Sequence, residues 1–546
     1  MPTLNWLGKD AVVDHHRKVP LRLLADDSAL AIPAPGGLGE TAGAVTHTLI
    51  EGDNLHALKA LLPRYRGRVD CIYIDPPYNT GNEGWVYNDN VNSPLMRDWL
   101  KREVGRDDLS RHDKWLCMMY PRLVLMRELL AQDGVIFISI DDNEFPFLSL
   151  LLDMVLGSAC RIANLIWKSR QFLDMRSLTG ISNDHEYILA YSKHNETIRF
   201  KGKARDNSKY SNPDNDPRGL WMSRSILGLA NKAQRPNLHY DLVNPQTGIS
   251  YPCPSNTGWR YNRETMSGKL SEGKILFPKK PSGRPREKVF LQNLTTEGAA
   301  FPSIITDIFT ADGSKEIRDI FGEQSFAFPK PSSLIAELIQ QVCGPNAIIL
   351  DAFAGSGTTG QAVMALNTAD DGRRECVLIQ LGQDQADGAN IAQSITRERL
   401  ARVSQGYTNA KGEAVAGLNQ AWRYQRLGES FTDGWGMPRT DLHFADLAPI
   451  VFFHATQEPI PQPAHDRAFL GVSSTGVGVY LLYNGDMTDK DGRSRNVLTQ
   501  GMLERLHPHP GPRIVYGAAC RIDDRDLASA RITFRQYPKA LAEVAS

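Results

Sequence analysis

One short stretch of the chain combines residue types that could hold an exocyclic amine. An apolar and aromatic run, Val69 to Ile74, ends abruptly at Asp75, as a buried parallel strand does. Pro76 and Pro77 then give a stiff backbone with carbonyl acceptors but no N–H donors. The Asp75 carboxylate and the Pro76 carbonyl could accept the two N–H groups of an amine, and the Tyr78 ring could stack on its base. The alternative is a plain Asp-Pro-Pro surface turn.

A second stretch has the pattern of a ligand-binding turn. Residues 347–350 are apolar and predict a strand, residues 351–360 read DAFAGSGTTG, and a helical pattern resumes at residues 361–366. Glycines let the backbone approach a ligand closely, and a helix N-terminus favours anionic groups. The turn lacks both the dinucleotide fingerprint GxGxxG and the Gly-Lys-Ser/Thr of a phosphate loop. Nicotinamide and ATP sites are therefore disfavoured.

Together the two motifs resemble those of amino-methylating DNA methyltransferases. Residues 75–78 look like the catalytic tetrapeptide of that family, and residues 79–81 (NTG) resemble its adenine-specific members. The glycine-rich turn resembles the S-adenosyl-L-methionine loop. The order of catalytic turn, recognition segment and cofactor loop is the family's β arrangement, which implies that the two turns follow neighbouring strands. The cofactor-binding residues implied by the loop are Asp351, Phe353, Ala354, Gly355, Ser356, Gly357 and Thr358.

The resemblance also implies cofactor contacts outside this loop. Lys330 and Pro331 would lie near the methionine carboxylate, but an Xaa-Pro turn before the helix predicted at residues 332–342 would explain them equally well. Gln380 ends a predicted strand where many nucleotide-binding folds place an acid on the ribose hydroxyls, and an amide can also hydrogen-bond a hydroxyl. Asp53 would lie near the adenosine, or act only as the N-cap of the helix after it.

Composition limits the class of protein. A chain of 546 residues predicts two to four domains. No apolar run approaches the length of about 20 residues needed to span a membrane. The N-terminal residues lack a secretory pattern, so we expect a cytoplasmic protein. Seven scattered cysteines without a CxxC pair predict reduced thiols. No metal site is expected, since Asp141 and Asp142 have no further ligands spaced to support one.

The central segment carries a large net positive charge. The chain as a whole has a net charge of zero, but residues 193–288 contain 19 Lys and Arg against eight Asp and Glu, a net charge of +11. Such a segment predicts a polyanion-binding region, with a solvated basic loop region as the alternative. Aromatic residues lie between these cations and could stack on bases; they are Tyr210, Trp221, Tyr240, Tyr251, Trp259 and Tyr261.

The predicted organisation is an α/β fold with an insert. Alternating strands and helices favour a mostly parallel sheet, and the resemblance implies a Rossmann-like methyltransferase sheet built from residues 1–193 and 301–428. The insert, residues 194–300, would be the target-recognition domain, and within it residues 244–260 resemble the modification subunits of type III restriction–modification systems. Residues 429–546 would form a small accessory α/β domain.

Two further structural expectations concern surface and accessory regions. The polar residues 82–113 predict a loop over the active site. In the accessory domain, apolar runs predict strands at residues 450–453, 476–483 and 513–517.

The resemblance implies methyl transfer from S-adenosyl-L-methionine to N6 of a flipped-out adenine in double-stranded DNA. A homodimer, a separate restriction subunit and no membrane association would fit a type III modification subunit; an orphan enzyme fits the sequence equally well. N4 of cytosine is an alternative target, although such enzymes more often have Ser before Pro-Pro-Tyr. An RNA or protein amide methyltransferase usually has Asn where Asp75 stands, and a non-catalytic DNA-binding subunit would not need both motifs. The recognised DNA sequence cannot be read from the chain.

Overall fold

The computed structural model describes residues 4–34, 45–80, 110–175, 177, 179–194, 198, 200–204, 206–280, 282–293, 298–382, 390–433, 435–461 and 468–542. Residues 82–109 of the loop predicted at residues 82–113 lie outside the described residues. The chain divides into two compact units: Lys201–Phe301 is one, and the residues on either side of it form the other. The smaller unit spans nearly the residues predicted as the insert.

Ten strands of the described residues form the large sheet of the first unit. Those at its centre are buried along most of their length, as expected for parallel strands with helices on both faces. In chain order the ten are β1 (Arg22–Asp26), β2 (Thr46–Glu51), β3 (Val69–Ile74), β4 (Leu130–Ile140), β5 (Arg161–Trp167), β6 (Glu186–Ser192), β7 (Ile304–Ile305), β8 (Ile348–Asp351), β9 (Glu375–Gln380) and β10 (Ala421–Ser430).

The sheet is mostly parallel, as predicted. Its spatial order is β1-β10-β2-β9-β8-β3-β4-β6-β5-β7. The run from β10 to β4 is parallel, β6 is antiparallel to both of its neighbours, and β1 is antiparallel to β10. Strands β3 and β8 are neighbours, with Ile349 opposite Cys71 and Leu350 opposite Ile72. The two predicted turns therefore leave the same edge of the sheet from adjacent strands.

Helices cover both faces of this sheet. In α1, Leu55, Leu58 and Leu61 recur every three residues and are buried, the pattern of a core-facing helix. No helix among the described residues is long and apolar enough to cross a membrane. The main helices are α1 (Asn54–Tyr65), α2 (Arg111–Leu129), α3 (Phe145–Val155), α4 (Thr310–Phe321), α5 (Ser332–Val342), α6 (Thr358–Asp370), α7 (Glu398–Gln405) and α8 (Phe444–Thr456), with short helices at Lys9–Val12 and His15–Lys18, a 3₁₀ turn at Ser158–Cys160 and a π-helical turn at Ala392–Arg397.

The second unit has a core of its own. A three-stranded antiparallel sheet (Ile275–Leu276, Arg286–Phe290 and Trp221–Ser225) and one helix, Arg263–Ser271, frame it. Short antiparallel pairs join Leu227–Gly228 to Gly258–Trp259, Leu242–Val243 to Ser250–Tyr251, and Lys203–Ala204 to Gly298–Ala299, with 3₁₀ turns at Asn207–Lys209, Pro236–Leu238 and Leu291–Asn293. The core residues are Ile226, Tyr240, Leu242, Trp259, Met266 and Ile275.

Most aromatic rings of this unit are unavailable for stacking on bases. Trp259 and Tyr251 are each 1% exposed, and Tyr240 and Trp221 are 7% and 8% exposed. The expectation of exposed stacking surfaces is wrong for these four residues. A unit of this size has few apolar groups with which to build a core, so its large rings are buried inside.

Residues beyond β10 belong to the first unit and include a second sheet. Its strands are β11 (Phe469–Val472), β12 (Gly478–Leu481), β13 (Arg513–Gly517) and β14 (Ile532–Gln536), in that order, with only β11 antiparallel. A short parallel pair, Val497–Leu498 with Ala519–Cys520, and short helices at Gln500–Leu503, Asp524–Ser529 and Lys539–Ala542 complete this region. A short antiparallel hairpin, Gly406–Thr408 with Ala414–Ala416, precedes β10.

One predicted strand in this region is wrong. Residues 450–453 lie in α8, where Leu447, Ile450 and Val451 are buried in the core. A run of four apolar residues has too little periodicity to separate a strand from a buried helix. The strands predicted at residues 476–483 and 513–517 are confirmed, although the first is shorter than predicted.

Candidate active site

The turn after β3 is held from two sides. The indole Nε1 of Trp115 in α2 donates to the Pro77 carbonyl at 2.7 Å. Asn79 is fully buried with a φ of 58°, and its side-chain amide donates to the buried Glu144 carboxylate, which also bonds His112 Nδ1 at 2.6 Å. Asn tolerates this left-handed conformation better than most residues. The backbone that carries Asp75 is thus fixed by partners far along the chain.

Lys330 is hydrogen-bonded to the Asp75 carboxylate of this turn. Its Nζ donates to both carboxylate oxygens of Asp75, at 2.9 and 2.8 Å, and lies 4.8 Å from the ring centroid of Tyr78. Burial raises the pKa of Asp75, and the Lys330 ammonium offsets part of that rise. The pKa of Lys330 is raised because its carboxylate neighbours outweigh its desolvation. An ammonium group therefore stands between the carboxylate and the aromatic face.

Glu186 completes this cluster and was not predicted from the sequence. The Tyr78 hydroxyl donates to Glu186 Oε2 at 2.8 Å, and Lys330 Nζ lies 3.5 Å from the same oxygen. Burial first, and the neighbouring carboxylates second, raise the pKa of Tyr78 well above its usual value. The available signal was a carboxylate at the start of the otherwise apolar strand β6. Its contact with Tyr78 joins residues 108 positions apart.

The glycine-rich turn after β8 is organised by Asp351. One of its carboxylate oxygens accepts from the Phe353 backbone N–H at 2.9 Å and the other from the Thr359 hydroxyl at 2.5 Å. Burial raises the pKa of Asp351 to about 7, against the lowering effect of these two donors. The Ala354 N–H donates to the carbonyl of Ile379 in β9 at 3.1 Å, which fixes the turn to the next strand.

The middle of this turn leaves its backbone open to close approach. Gly355 and Gly357 have φ angles of 51° and 83°, in the region that favours glycine. A Cβ on Gly355 would lie 3.3 Å from the Phe326 ring. The side-chain carbonyl of Gln380 accepts from the Gly355 N–H at 2.7 Å, while its amide donates to the Leu381 carbonyl at 3.3 Å. Gln380 thus supports the turn from the end of β9.

A buried arginine beneath the turn was also missed by sequence reasoning. Arg399 of α7 is fully buried, and its Nη1 donates to the hydroxyls of Ser356 and Thr358, each at 2.8 Å. Its Nη2 pairs with Glu316 Oε2 at 2.9 Å, and its Nε donates to Gln361 Oε1 at 2.9 Å. Desolvation lowers the pKa of Arg399 to about 10, so the guanidinium stays charged at neutral pH.

The same ion pair supports the segment that carries Lys330. Pro331 is the N-cap of α5 and offers no side-chain cap; instead the Ser332 N–H donates to both Glu316 oxygens at 3.2 Å, and the Ser332 hydroxyl donates at 2.8 Å. The segment also passes very close to α4, because a Cβ on Gly313 would lie 2.3 Å from the Pro329 carbonyl oxygen.

Asp53 is the N-cap of α1, one of the two roles considered for it. Its carboxylate accepts from the N–H groups of Leu55 and His56 at 2.9 and 3.4 Å, and Arg122 Nη2 lies 3.4 Å away. Arg122 also donates to Asn54 Oδ1, and Asn54 Nδ2 donates to the Ala352 carbonyl at 2.9 Å. This chain of contacts links the start of α1 to the turn after β8.

Asp53 also lines a cleft of about 660 Å³ at the carboxyl ends of β2 and β9. Glu51 faces the same cleft and accepts hydrogen bonds from Tyr424, Asn390 and Gln393 at 2.7, 2.6 and 3.0 Å. Burial raises the pKa of Glu51, but these donors outweigh it and leave the pKa below its usual value. A charged acceptor thus lies beside Asp53.

The structure brings most of the sequence-derived site residues together. Asp75, Tyr78 and Lys330 form one cluster, and Asp351 to Thr358 with Gln380 form a second on the adjacent strands. Asp53 joins the second through Asn54. Among the described residues, no group of three or more His, Cys, Asp or Glu side chains is arranged to hold a metal ion.

A comparison of the sequence with models of known families decides the class of this protein. The family model described as DNA methylase, for N6 and N4 methyltransferases, matches residues 69–390. The match begins at the start of β3 and ends beyond β9. The chain belongs to this DNA methylase family. Both turns of the site and the whole insert lie inside the matched region.

Curated relatives are similar over about two thirds to three quarters of this chain. The Mod subunit of the type III restriction–modification enzyme StyLTI from Salmonella typhimurium is 32% identical over 381 residues, 66% of this chain and 57% of the relative. The EcoP15I Mod subunit from Escherichia coli is 32% identical over 74% of this chain and 69% of the relative. The type II methyltransferase M.KpnI from Klebsiella pneumoniae is 30% identical over 67% of this chain and 89% of the relative. The chain thus spans little more than half of the StyLTI subunit.

Proposed function

We propose that this DNA methylase transfers a methyl group from S-adenosyl-L-methionine to N6 of adenine in double-stranded DNA. The proposal depends on one observation: an amine-accepting turn and a glycine-rich turn leave the same edge of the sheet from adjacent parallel strands, β3 and β8. Ligands of open α/β sheets bind at this edge. A methyl donor held by one turn would therefore lie beside an amine held by the other.

The Asp75 cluster suits a neutral amine. The Lys330 ammonium donates two hydrogen bonds to Asp75 beside the Tyr78 ring, so a nitrogen donor can bind this carboxylate next to an aromatic face. In the proposed reaction, Asp75 and the Pro76 carbonyl accept the two N–H groups, which orients the nitrogen lone pair and stabilises the positive charge that develops on it. As the bond from nitrogen to the methyl carbon forms, the bond from sulfur to that carbon breaks and leaves a neutral thioether, and one N–H proton passes by way of Asp75 to solvent. Tyr78 stacks on the base. The adenine must first leave the base stack, at a cost of a few kcal/mol.

The second turn fits S-adenosyl-L-methionine. Glycines at positive φ and the buried Asp351 form a cradle that a Cβ on Gly355 would partly fill. When bound, the cofactor supplies a methyl group on a positively charged sulfonium. We assign its binding to the turn, to Gln380, and to the flanking residues Lys330, Pro331 and Asp53. The turn residues are Asp351, Phe353, Ala354, Gly355, Ser356, Gly357 and Thr358.

The unit Lys201–Phe301 is the proposed target-recognition domain. Part of its positive charge is neutralised internally: Lys288 pairs with Asp214 and Asp216, and Arg224 and Lys269 pair with Glu287. Other cations are exposed and have no carboxylate within 4 Å among the described residues; they are Lys232, Arg235, Arg260, Arg263, Lys279, Lys280 and Arg284. Exposed cations of this kind bind the phosphate backbone of DNA.

The relatives suggest a biological setting. Two of those described above are Mod subunits of type III restriction–modification enzymes. We propose the same role here, in the cytoplasm, with a separate restriction subunit and a homodimeric methylase. The experiment for this part is co-expression with the neighbouring genes, followed by purification and mass measurement of the complex. A methylase that remains a monomer with no associated subunit would contradict it.

Transfer of labelled methyl groups tests the activity. The protein is incubated with labelled S-adenosyl-L-methionine and mixed genomic DNA, and the nucleosides are then separated. N6-methyladenine is the expected product, and single-molecule sequencing of the DNA then gives the recognised site. N4-methylcytosine would contradict the choice of base. Cofactor binding without label in DNA would contradict the substrate and direct the search to RNA, protein or a missing subunit.

A further inference from the structure

Among the described residues of the loop between β5 and β6, four apolar side chains are exposed. Phe172 is 79% exposed, Leu173 68%, Met175 91% and Ile181 76%. Single exposed apolar residues are common on protein surfaces, but four within ten residues of one loop form a patch that usually marks an interaction site. We refer to these four residues as the apolar tip. None of them has a role in the site described above.

The base of this loop is ordered by hydrogen bonds. The Arg170 N–H donates to the Asp184 carbonyl at 3.1 Å, and the Arg170 guanidinium pairs with Asp174 at 2.7 Å. The Asp174 N–H donates to the Ser182 hydroxyl at 2.6 Å, and Asn183 donates to Asp142 at 2.7 Å. The two arms of the loop are therefore joined below the apolar tip. The hydrogen-bonded base of the loop thus supports the exposed side chains of the apolar tip.

Both arms of the loop begin at the wall of the amine-accepting cluster. The loop leaves the carboxyl end of β5 at Trp167, whose ring centroid lies 6.0 Å from Lys330 Nζ. It returns to the sheet at Glu186, whose carboxylate contacts Lys330 and Tyr78. Strand β5 points in the same direction as β3, because β4 and β5 are both antiparallel to β6 and β3 is parallel to β4. The apolar tip therefore projects from the edge of the sheet that carries Asp75.

We propose that the apolar tip is a wedge that enters the DNA base stack beside the flipped adenine. The proposal rests on the function proposed above. Extrusion of a base leaves an apolar gap between its neighbours, and proteins that deform DNA insert Phe, Leu, Ile or Met side chains between base steps. The apolar tip consists of these four residue types and lies beside the site that receives the base. By filling the gap, it would stabilise the extruded state.

A protein partner would also cover apolar side chains, so the test must separate base extrusion from other contacts. Two duplexes carry the site found by sequencing: one pairs the target adenine with thymine, and the other places it opposite an abasic position. In the second duplex the adenine leaves the stack at a much smaller cost. The variant is Phe172→Ala with Met175→Ala, and Trp435→Ala, 92% exposed in the other part of the first unit, is the matched control.

The expected result is a rate that depends on the duplex. Single-turnover methylation of the paired duplex by the double variant should be slower by at least about tenfold, or about 1.4 kcal/mol. Methylation of the abasic duplex should stay within about twofold of the wild-type rate, since little extrusion is then required. Trp435→Ala should match the wild type on both. Unchanged cofactor binding and melting temperature establish that the variants are folded.

Other outcomes overturn the wedge. An equal loss of rate on both duplexes would mean that the apolar tip contributes to general DNA binding. An unchanged rate on both, or a loss shared by Trp435→Ala, would mean that it has no role in extrusion, and a partner protein would become the candidate occupant. Failure of the wild-type protein to methylate any DNA would instead overturn the proposed function, and the wedge with it.

Discussion

The two turns of the site leave adjacent strands, and both begin with an aspartate, yet the two carboxylates are held differently. Asp75 faces an ammonium, Lys330, which is joined to it only by hydrogen bonds and charge. Asp351 accepts from two uncharged donors of its own turn, the Phe353 N–H and the Thr359 hydroxyl. The partner of Asp75 is a long side chain that can withdraw, whereas the partners of Asp351 are part of the structure that it organises.

In the proposed function, this difference separates a carboxylate that accepts a hydrogen bond from the substrate amine from one that supports the backbone of its turn. Glu186, 3.5 Å from the Lys330 ammonium, offers it a second acceptor when an amine binds Asp75. Nothing comparable is needed at Asp351, whose hydrogen bonds persist while the turn keeps its shape. Substitutions at the first turn should therefore change the rate of methyl transfer, and substitutions at the second should change cofactor affinity or stability.

The largest effect is expected for Asp75→Ala. Loss of the acceptor should slow methyl transfer by at least about 100-fold, as does removal of one preorganised polar group from other active sites. Cofactor affinity, measured by calorimetry, should stay close to that of the wild type, because Asp75 lies outside the glycine-rich turn. A variant that methylates DNA at the wild-type rate would remove Asp75 from the reaction.

Lys330→Gln should have the next largest effect. Since Lys330 lowers the pKa of Asp75, its loss should raise that pKa further, and Asp75 would become charged only at higher pH. The acid limb of the pH–rate profile should therefore move to higher pH, and at a fixed pH on that limb the rate should fall about tenfold for a shift of one unit. Lys330→Arg keeps the charge and should move the limb less. An unmoved acid limb would contradict the role of the ion pair.

Gly355→Ala tests the second turn. The alanine would have to keep the positive φ of Gly355, which costs about 1–2 kcal/mol in an L-residue. Its methyl group would also lie against the Phe326 ring. Cofactor affinity should fall by about tenfold, while the rate at saturating cofactor changes little. Gly344→Ala is the control, because a Cβ there meets no atom within 4 Å. A lower rate at saturating cofactor with unchanged cofactor affinity would mean that Gly355 acts in methyl transfer and not in cofactor binding.

For Asp351→Asn the expected change is in stability without cofactor, not in the rate of methyl transfer. Burial raises the pKa of Asp351 to about 7 in the folded protein, so the folded state binds this proton more tightly than the unfolded state does. Its contribution to stability is present at low pH and is lost as pH rises toward 7. The melting temperature of the wild type should therefore fall relative to the variant between about pH 4 and 7. Asp371→Asn, at the exposed end of α6, should show no such trend.

Sequence reasoning located the two turns because each depends on neighbouring residues. Apolar runs ending at Asp75 and Asp351 predicted strands β3 and β8, and their adjacency is confirmed. The bounds of α5 are also as predicted. These features follow from local propensity and from the rule that parallel strands share a ligand-binding edge.

The partners of these turns could not be predicted, because they come from distant parts of the chain. Arg399 reaches Ser356 and Glu316 across 43 and 83 residues, and Lys330 reaches Asp75 across 255. Nothing in the pattern around Arg399 separates it from an exposed helical arginine. Burial decides its role, and burial depends on the packing of α7 against α4 and α6. The four buried aromatic rings of the insert were misjudged for the same reason.

Arg399 and Glu316 together touch both halves of the site. The arginine holds the hydroxyls of the turn after β8, and the glutamate holds the start of α5, one residue beyond Pro331 and two beyond Lys330. A ligand that shifts either segment would therefore perturb the same buried ion pair. The binding of the two substrates should accordingly be coupled, with each changing the affinity of the other by the same factor.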